Sequence, residues 1–273
     1  MKSQFSLQDK VAIVTGGLGL LGLRHAKALA LAGAAVVLVD LGDENMFRSK
    51  VKDTFFNVDS EILYISADIT KKDEVERIRE VTIQKFGKID VLINNAAIND
   101  MVEHQPLSVS ESEFENYSLE LWNRSFAVNV TGTFLCSQII GKVMAESGSG
   151  SIINIASTYA LVGPDQSIYL SPDGKRLMYK SPAYSATKGA IVAFTKYLAA
   201  YWGSHGIRVN TLSPGGVKNG QEEFFINNYS ARTMLGRMAE PDDYEGAVVF
   251  LASDASRYMT GANLVVDGGW TAW

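Results

Sequence analysis

Cysteine, histidine and proline are scarce in this chain: one, three and six residues among 273. The lone cysteine, Cys136, excludes an intramolecular disulfide and fits a reducing compartment. It sits in the apolar run Phe134-Leu135-Cys136 and reads as a small core residue rather than a nucleophile. His25, His104 and His205 are scattered without metal-ligand spacing, so no metal site is expected and they read as surface or packing residues. No apolar run approaches the roughly 20 residues of a membrane span. The longer ones, such as residues 34–39, have strand length. Residues 1–10 are polar and lack the apolar stretch of a signal peptide. Basic charge is not in excess: the net charge of −5 argues against a sequence-independent nucleic-acid binder. The expectation is a soluble, cytoplasmic protein with neither nucleic acid nor membrane as a partner.

What the chain does have is 47% hydrophobic residues in a regular arrangement, ample for a core. Short β-branched runs at 11–15, 35–40, 62–66, 91–94, 151–156, 208–212 and 263–266 read as strands. Between most of them lie stretches of helical length, at about 20–32, 71–86, 118–146, 183–203 and 241–252. Strand and helix in alternation imply parallel strands joined by right-handed crossovers, hence an α/β, doubly wound parallel sheet of about seven strands. No Pro/Gly/Ser linker divides residues 1–273, so one Rossmann-type domain is expected.

The first strand runs into Thr15-Gly16-Gly17-Leu18-Gly19-Leu20-Leu21-Gly22 and then a helix. Glycines at such a turn let backbone amides approach a pyrophosphate, and a helix N-terminus favours its negative charge. Gly17-x-Gly19-x-x-Gly22 matches the dinucleotide fingerprint in its strand-turn-helix setting. Asp40 ends the second strand, 18 residues beyond Gly22. A carboxylate there can accept from both ribose hydroxyls and repels a 2′-phosphate, so NAD is expected over NADP. Arg24 and Arg48 are the nearest cations that could offset this preference.

Tyr184 precedes Lys188 by four residues, on one face of a helix. An ammonium so placed can stabilise a phenolate and make the phenol a proton shuttle at neutral pH.

Taken in order, these motifs resemble the classical short-chain dehydrogenase/reductase family over essentially the whole chain. Thr15–Gly22 resembles its glycine turn, and Asp68 with Ile69 its adenine contact. Asn94-Asn95-Ala96-Ala97 is similar to the segment lining the cofactor, and Pro214-Gly215 to the residues beside the nicotinamide. The resemblance implies a catalytic tetrad of Asn129, Ser157, Tyr184 and Lys188. It also implies cofactor contacts from Gly16, Gly17, Gly19, Leu20, Leu21, Gly22, Asp40, Leu41, Asp68, Ile69, Asn95, Ala96, Ala97, Tyr184, Lys188, Pro214, Gly215, Val217 and Asn219. In that mechanism Tyr184 transfers a proton while hydride moves between nicotinamide and a secondary alcohol or ketone. Lys188 holds the nicotinamide ribose, Ser157 the substrate oxygen, and Asn129 a water linking Lys188 to solvent. Homodimers or homotetramers through the helices at 118–146 and 183–203 are implied as well. Trp270 and Trp273 complete a second interface or close the protein's own core.

Three positions depart from the family pattern. The glycine expected where Leu20 stands comes one place earlier, Ala97 replaces a glycine, and Asn219 replaces a threonine that often holds the carboxamide. A larger departure is the spacing between Ser157 and Tyr184, 27 residues where the family usually has about 13. The surplus, about 163–182, holds three prolines and two glycines and reads as loop. It mixes Tyr169 and Tyr179 with Asp165, Asp173, Lys175, Arg176 and Lys180. Placed between two catalytic residues, it is expected beside the active-site mouth. There it would serve a polar small-molecule substrate such as a sugar or nucleotide-linked sugar; a solvated loop and a subunit contact are the alternatives. The glycine turn and 163–169 also resemble oxidoreductases of flagellin modification and nonulosonate pathways. Residues 216–235, with Phe224, Phe225, Ile226 and Tyr229, read as a short amphipathic helix forming the second substrate wall. An NADPH-dependent oxoacyl carrier-protein reductase and a non-catalytic NAD sensor or scaffold are the competing readings.

Overall fold

The computed structural model describes residues 3–99 and 107–273. The strands are β1 (Val11–Thr15), β2 (Ala35–Asp40), β3 (Ile62–Ser66), β4 (Val91–Asn94), β5 (Gly150–Ile155), β6 (Ile207–Pro214) and β7 (Asn263–Val266). They form one parallel sheet in the order β3-β2-β1-β4-β5-β6-β7. The order reverses between β1 and β4, and the crevice beyond the C-terminal ends of such a pair is where this class of sheet binds ligands.

The helices are α1 (Leu20–Leu31), α2 (Glu44–Thr54), α3 (Lys72–Phe86), α4 (Val109–Ser112), α5 (Leu119–Phe126), α6 (Thr133–Ser147), α7 (Pro182–Trp202), α8 (Glu223–Ser230) and α9 (Glu245–Ala252). Side chains alternate across the sheet with a period of two. On β1, Ile13 joins residues of α3, α6 and α7 in one apolar cluster, while Ala12 and Val14 join residues of α1 and α9 in another. Both faces are therefore covered, which explains why the strands read as continuous apolar runs.

A buried polar chain crosses the sheet. Asn94 donates to Asn154 Oδ1 (2.8 Å) and Ser137 Oγ (3.0 Å), Asn154 donates to Thr195 (2.9 Å), and Thr211 donates to Thr195 (2.8 Å). Paired in this way, the polar groups fix how α6 and α7 sit on β4, β5 and β6.

Three elements differ from the sequence expectation. The single helix expected at 118–146 is α5 and α6 joined by a π-helical turn, Ala127–Gly132, with Asn129 inside it. Periodicity does not reveal such a turn, because the chain stays helical on both sides. α2 was not anticipated; its mean character is polar, and its start is fixed by Asp43, whose carboxylate accepts from the Met46 amide at 2.8 Å.

The insertion is the third. It contains a 3₁₀ turn, Gln166–Tyr169, and a Leu170–Arg176 antiparallel bridge. Ile168 and Tyr169 are buried with Tyr229 of α8, Met238 and Trp270. Asn228 of α8 donates to the carbonyls of Ile168 and Leu170 (both 3.2 Å), and Asp165 pairs with Arg232 at 2.8 Å. A wholly solvated loop is thereby ruled out. Trp270 stacks on Tyr229 at 4.2 Å and closes this cluster, whereas Trp273 is exposed and donates to the Arg232 carbonyl.

Candidate active site

The glycine turn after β1 is held from the neighbouring strand end. Asn95 Nδ2 donates to the carbonyls of Thr15 (3.0 Å) and Gly16 (3.1 Å), and the amides of Asn95 and Ala96 donate to Thr15 Oγ1 (3.1 Å each). Gly16 adopts φ +61°, and a Cβ there would lie 2.7 Å from Ala96 Cα. A Cβ on Gly22 would lie 2.0 Å from the Gly16 carbonyl oxygen. These two positions require glycine. Leu20 begins α1 with its side chain substantially exposed, so the missing glycine there costs the turn nothing. The N-cap, Gly19, offers no side-chain acceptor, leaving the first amides of a 12-residue helix open to an anion.

These amides border a cavity of about 690 Å³ that runs along the C-terminal sheet edge, within the ~300–1,000 Å³ usual for ligand sites. Asp40, Leu41, Asp68 and Ile69 line one end, and Tyr184, Lys188, Ile155 and Pro214 the other. Asp40 accepts from the amides of Leu18 (2.9 Å) and Leu41 (2.8 Å). Asp68 is fixed by accepting from the amide (2.9 Å) and hydroxyl (2.7 Å) of Thr70. The glycine cradle, the open amides and the paired acidic residues fit a dinucleotide.

Tyr184 sits in the first turn of α7, where Pro182 starts the helix and the Ser181 hydroxyl accepts from the Tyr184 amide (3.3 Å). Lys188, one turn on, is buried; its ammonium donates to the Ile155 carbonyl (2.8 Å) and lies 5.7 Å from the Tyr184 ring centroid. Ser157, just past β5, is buried, and its oxygen accepts from the Tyr159 amide (3.2 Å). Asn129 is buried in the π turn. Its Oδ1 accepts from Ile98 N (2.8 Å), and its Nδ2 donates to Ile98 O and Thr187 Oγ1 (3.1 Å each). A side-chain amide has two protons, and both are used. One lone pair on Oδ1 is all that the side chain retains for the expected water.

A family model described as enoyl-(acyl carrier protein) reductase matches residues 20–271. The chain is 35% identical to a D-threitol dehydrogenase of Mycolicibacterium smegmatis, over 98% of this chain and 95% of that one. It is 36% identical to a 3-alpha-(or 20-beta)-hydroxysteroid dehydrogenase of Mycobacterium tuberculosis, over 97% and 91%. A solved short-chain dehydrogenase from Leptospira borgpetersenii with bound NAD+ superposes with a TM-score of 0.82 at 35% identity, covering 99% and 96%. The chain belongs to the short-chain dehydrogenase/reductase family. It is an NAD(P)-dependent oxidoreductase acting on CH–OH donors.

Most of the residues expected in a dehydrogenase cofactor site line the cavity: Gly16, Gly19, Leu20, Leu21, Asp40, Leu41, Asp68, Ile69, Asn95, Ala96, Ala97, Tyr184, Lys188 and Pro214. Gly17 and Gly22 lie behind this wall, packed against Leu38 and the Gly16 carbonyl. Gly215 and Val217 are turned toward Asp267 and Ala239. Asn219 is exposed, its amide donating to Gln221 Oε1 at 2.7 Å, and is not on the cavity wall.

Sequence reasoning missed Lys50, Asn99 and Arg124, which also line the cavity. Lys50 was hidden because α2 was; its ammonium donates to the Leu18 carbonyl (2.7 Å) beside Asp40. Of the cations expected to compete with Asp40, Arg48 pairs with Glu44 instead. Cys136 is buried and its thiol is pushed up to about 12 by burial, which suits a core residue. His25 is buried and His205 exposed, while His104 falls outside the described residues. Among the described residues no cluster could hold a metal, and no helix is long and apolar enough to cross a membrane.

Proposed function

We propose that this dehydrogenase uses NAD to interconvert a secondary alcohol and a ketone in a polar, hydroxylated substrate, through Tyr184, Lys188, Ser157 and Asn129. The observation that carries the reading is that Tyr184 and Lys188 border the same cavity as Asp40, at opposite ends. The nicotinamide, when bound, supplies the hydride acceptor or donor. Tyr184 then moves the proton of the substrate hydroxyl. A free phenol titrates near about 10, and working at about pH 7 takes roughly 4 kcal/mol of preferential phenolate stabilisation. The Lys188 ammonium, itself buried, contributes to that. Ser157 accepts from the Tyr159 amide, which leaves its own proton available to donate to a substrate oxygen and offset developing charge. Asn129 binds the chain at Ile98 to Thr187 and so fixes the turn that carries Lys188.

NAD is favoured over NADP because the Asp40 carboxylate occupies the ribose end, while Lys50 is committed to the Leu18 carbonyl. A polar substrate is favoured by Asn99 and Lys180 beside Tyr184, and by likeness to an enzyme of D-threitol. The likeness to a hydroxysteroid dehydrogenase favours an apolar ring system instead, and the aromatic cluster around Tyr229 gives that reading some footing. Self-association belongs to the proposal too, since α6 and α7 expose Phe134, Tyr197 and Tyr201 on their outer faces. The test is initial-rate oxidation of D-threitol, other sugar alcohols and 20-beta-hydroxysteroids with NAD+ and with NADP+. Faster turnover of polyols with NAD+ is expected; selective use of steroids or of NADP+ would overturn the corresponding part. In Tyr184→Phe, NADH affinity should persist while turnover falls by orders of magnitude.

A further inference from the structure

Near the end of the insertion, four residues before Tyr184, stands Lys180, which is 9% exposed. The Lys180 amide donates to Gln166 Oε1 (2.9 Å), tying this end of the insertion to its 3₁₀ turn. The Lys180 ammonium donates to Asn99 Oδ1 (2.9 Å) and lies over two rings, 4.3 Å from the Tyr184 centroid and 5.9 Å from that of Tyr159. It is thus closer to the Tyr184 ring than Lys188 is, at 5.7 Å.

We infer that Lys180 is a positioning residue for the proton transfer, a second cation that favours the ionised form of Tyr184. This rests on the reading of Tyr184 as the proton-transferring group. A cation over an aromatic face is attracted by the ring's electron density. A phenolate ring carries more of that density than a phenol, so the contact is stronger after the proton leaves and the phenol becomes more acidic. Asn99 Oδ1 and the two ring faces in turn favour the charged ammonium.

Facing Tyr184 are Lys188 on α7, Tyr159 from the turn after β5, Tyr169 from the insertion and, across the cluster, Tyr229 from α8. Burial pushes the phenols of Tyr159, Tyr169 and Tyr229 up, so these three stay neutral. Asp165, whose field reaches Tyr159, is paired with Arg232, and Asp267 acts on Tyr229. The 27-residue spacing from Ser157 to Tyr184 therefore has a chemical consequence: it delivers an ammonium to the ring.

The test needs no substrate. Phenolate absorbance of the intact protein is titrated against pH, and subtraction of the Tyr184→Phe titration isolates Tyr184. The same pair of titrations is run in Lys180→Met and in Lys180→Gln, so that a poorly folding variant leaves the other, and in Lys180→Arg. The Tyr184 midpoint is expected below the ordinary ~10 in the parent protein, about 1 pH unit or more higher in Lys180→Met and Lys180→Gln, and restored in Lys180→Arg. An unchanged midpoint in the neutral variants, with a low midpoint in the parent, would overturn the role of Lys180 and leave Tyr184 as proposed. A parent midpoint at or above ~10 would remove the Tyr184 reading itself.

Discussion

Asn129 Nδ2 donates to Thr187 Oγ1 at 3.1 Å, joining a π-helical turn to the residue before Lys188 on α7. The same side chain pairs with both backbone groups of Ile98, beyond β4. One carboxamide thus ties three segments that meet under the candidate site. A π turn is the local irregularity that lets a helix present such a group inward, and it recurs at functional sites.

Replacing Asn129 by Leu would leave the Ile98 amide and carbonyl and the Thr187 hydroxyl without this partner in a buried setting. Unsatisfied buried groups cost about 1–3 kcal/mol each, only partly offset by relaxation. The expected loss is about 2–4 kcal/mol of unfolding free energy in a urea titration. Turnover should fall further than NADH affinity, because the disturbance lies beside Lys188 rather than at the glycine turn. Equal stability of variant and parent would show that the clamp is not needed.

The glycine turn offers a sharper contrast. Gly19→Ala places a Cβ 3.2 Å from the Gly16 carbonyl oxygen, a contact that a few tenths of an ångström relieve. Gly22→Ala places one at 2.0 Å from the same atom and 3.0 Å from the Asn95 side-chain nitrogen that donates to it. Overpacking of this kind costs about 1–3 kcal/mol or more and must shift the turn. Gly19→Ala should bind NADH within a few-fold of the parent, and Gly22→Ala should bind it poorly, as read by fluorescence titration.

This contrast also marks what was legible in the sequence. The dinucleotide turn was readable because a Cβ is forbidden at particular places, and glycine at Gly16 and Gly22 records the prohibition. Gly19, which completed the fingerprint on paper, carries less of it. The sheet was legible for a similar reason: β1 and β4 are buried throughout, which leaves apolar runs no other reading. The insertion was not legible. Its prolines and glycines signalled loop, while its order comes from Ile168 and Tyr169 meeting Tyr229 and Trp270, contacts between residues far apart in the chain. Lys180 and Asn99 likewise become partners only when the fold brings them together.

Asp40 lines the cavity at the end of β2 with two backbone amides on its carboxylate, and Lys50 lies within the same wall. Asp40→Ser removes the charge that opposes a 2′-phosphate and leaves the Lys50 ammonium close by. NAD affinity is expected to drop by about 10- to 100-fold, the equivalent of about 1.5–3 kcal/mol for hydrogen bonds to a charged group. NADP affinity should rise in the same variant, and adding Lys50→Met should reverse that rise. Equilibrium binding of the two reduced coenzymes checks both. A parent protein that already binds NADPH more tightly would contradict the cofactor assignment.

His25 lies on α1, fully buried, with neither ring nitrogen hydrogen-bonded among the described residues. Burial lowers its pKa from 6.5 to about 4. The unfolded chain therefore takes up a proton at His25 before the folded one does. Above about pH 6.5 both states are neutral there and stability is unaffected. As pH falls from about 6.5 toward about 4 the unfolded state is progressively favoured, by about 3 kcal/mol in all, and the loss levels off once the folded state is protonated too. His25→Leu keeps a comparable volume and removes two buried polar atoms. It should be more stable than the parent at neutral pH by about 1–3 kcal/mol. Its advantage should widen between pH 6.5 and 4, since the variant lacks this contribution to acid sensitivity. Urea unfolding of both proteins across that range measures the difference directly. A constant gap between the two curves would mean that His25 finds a partner for its proton when folded.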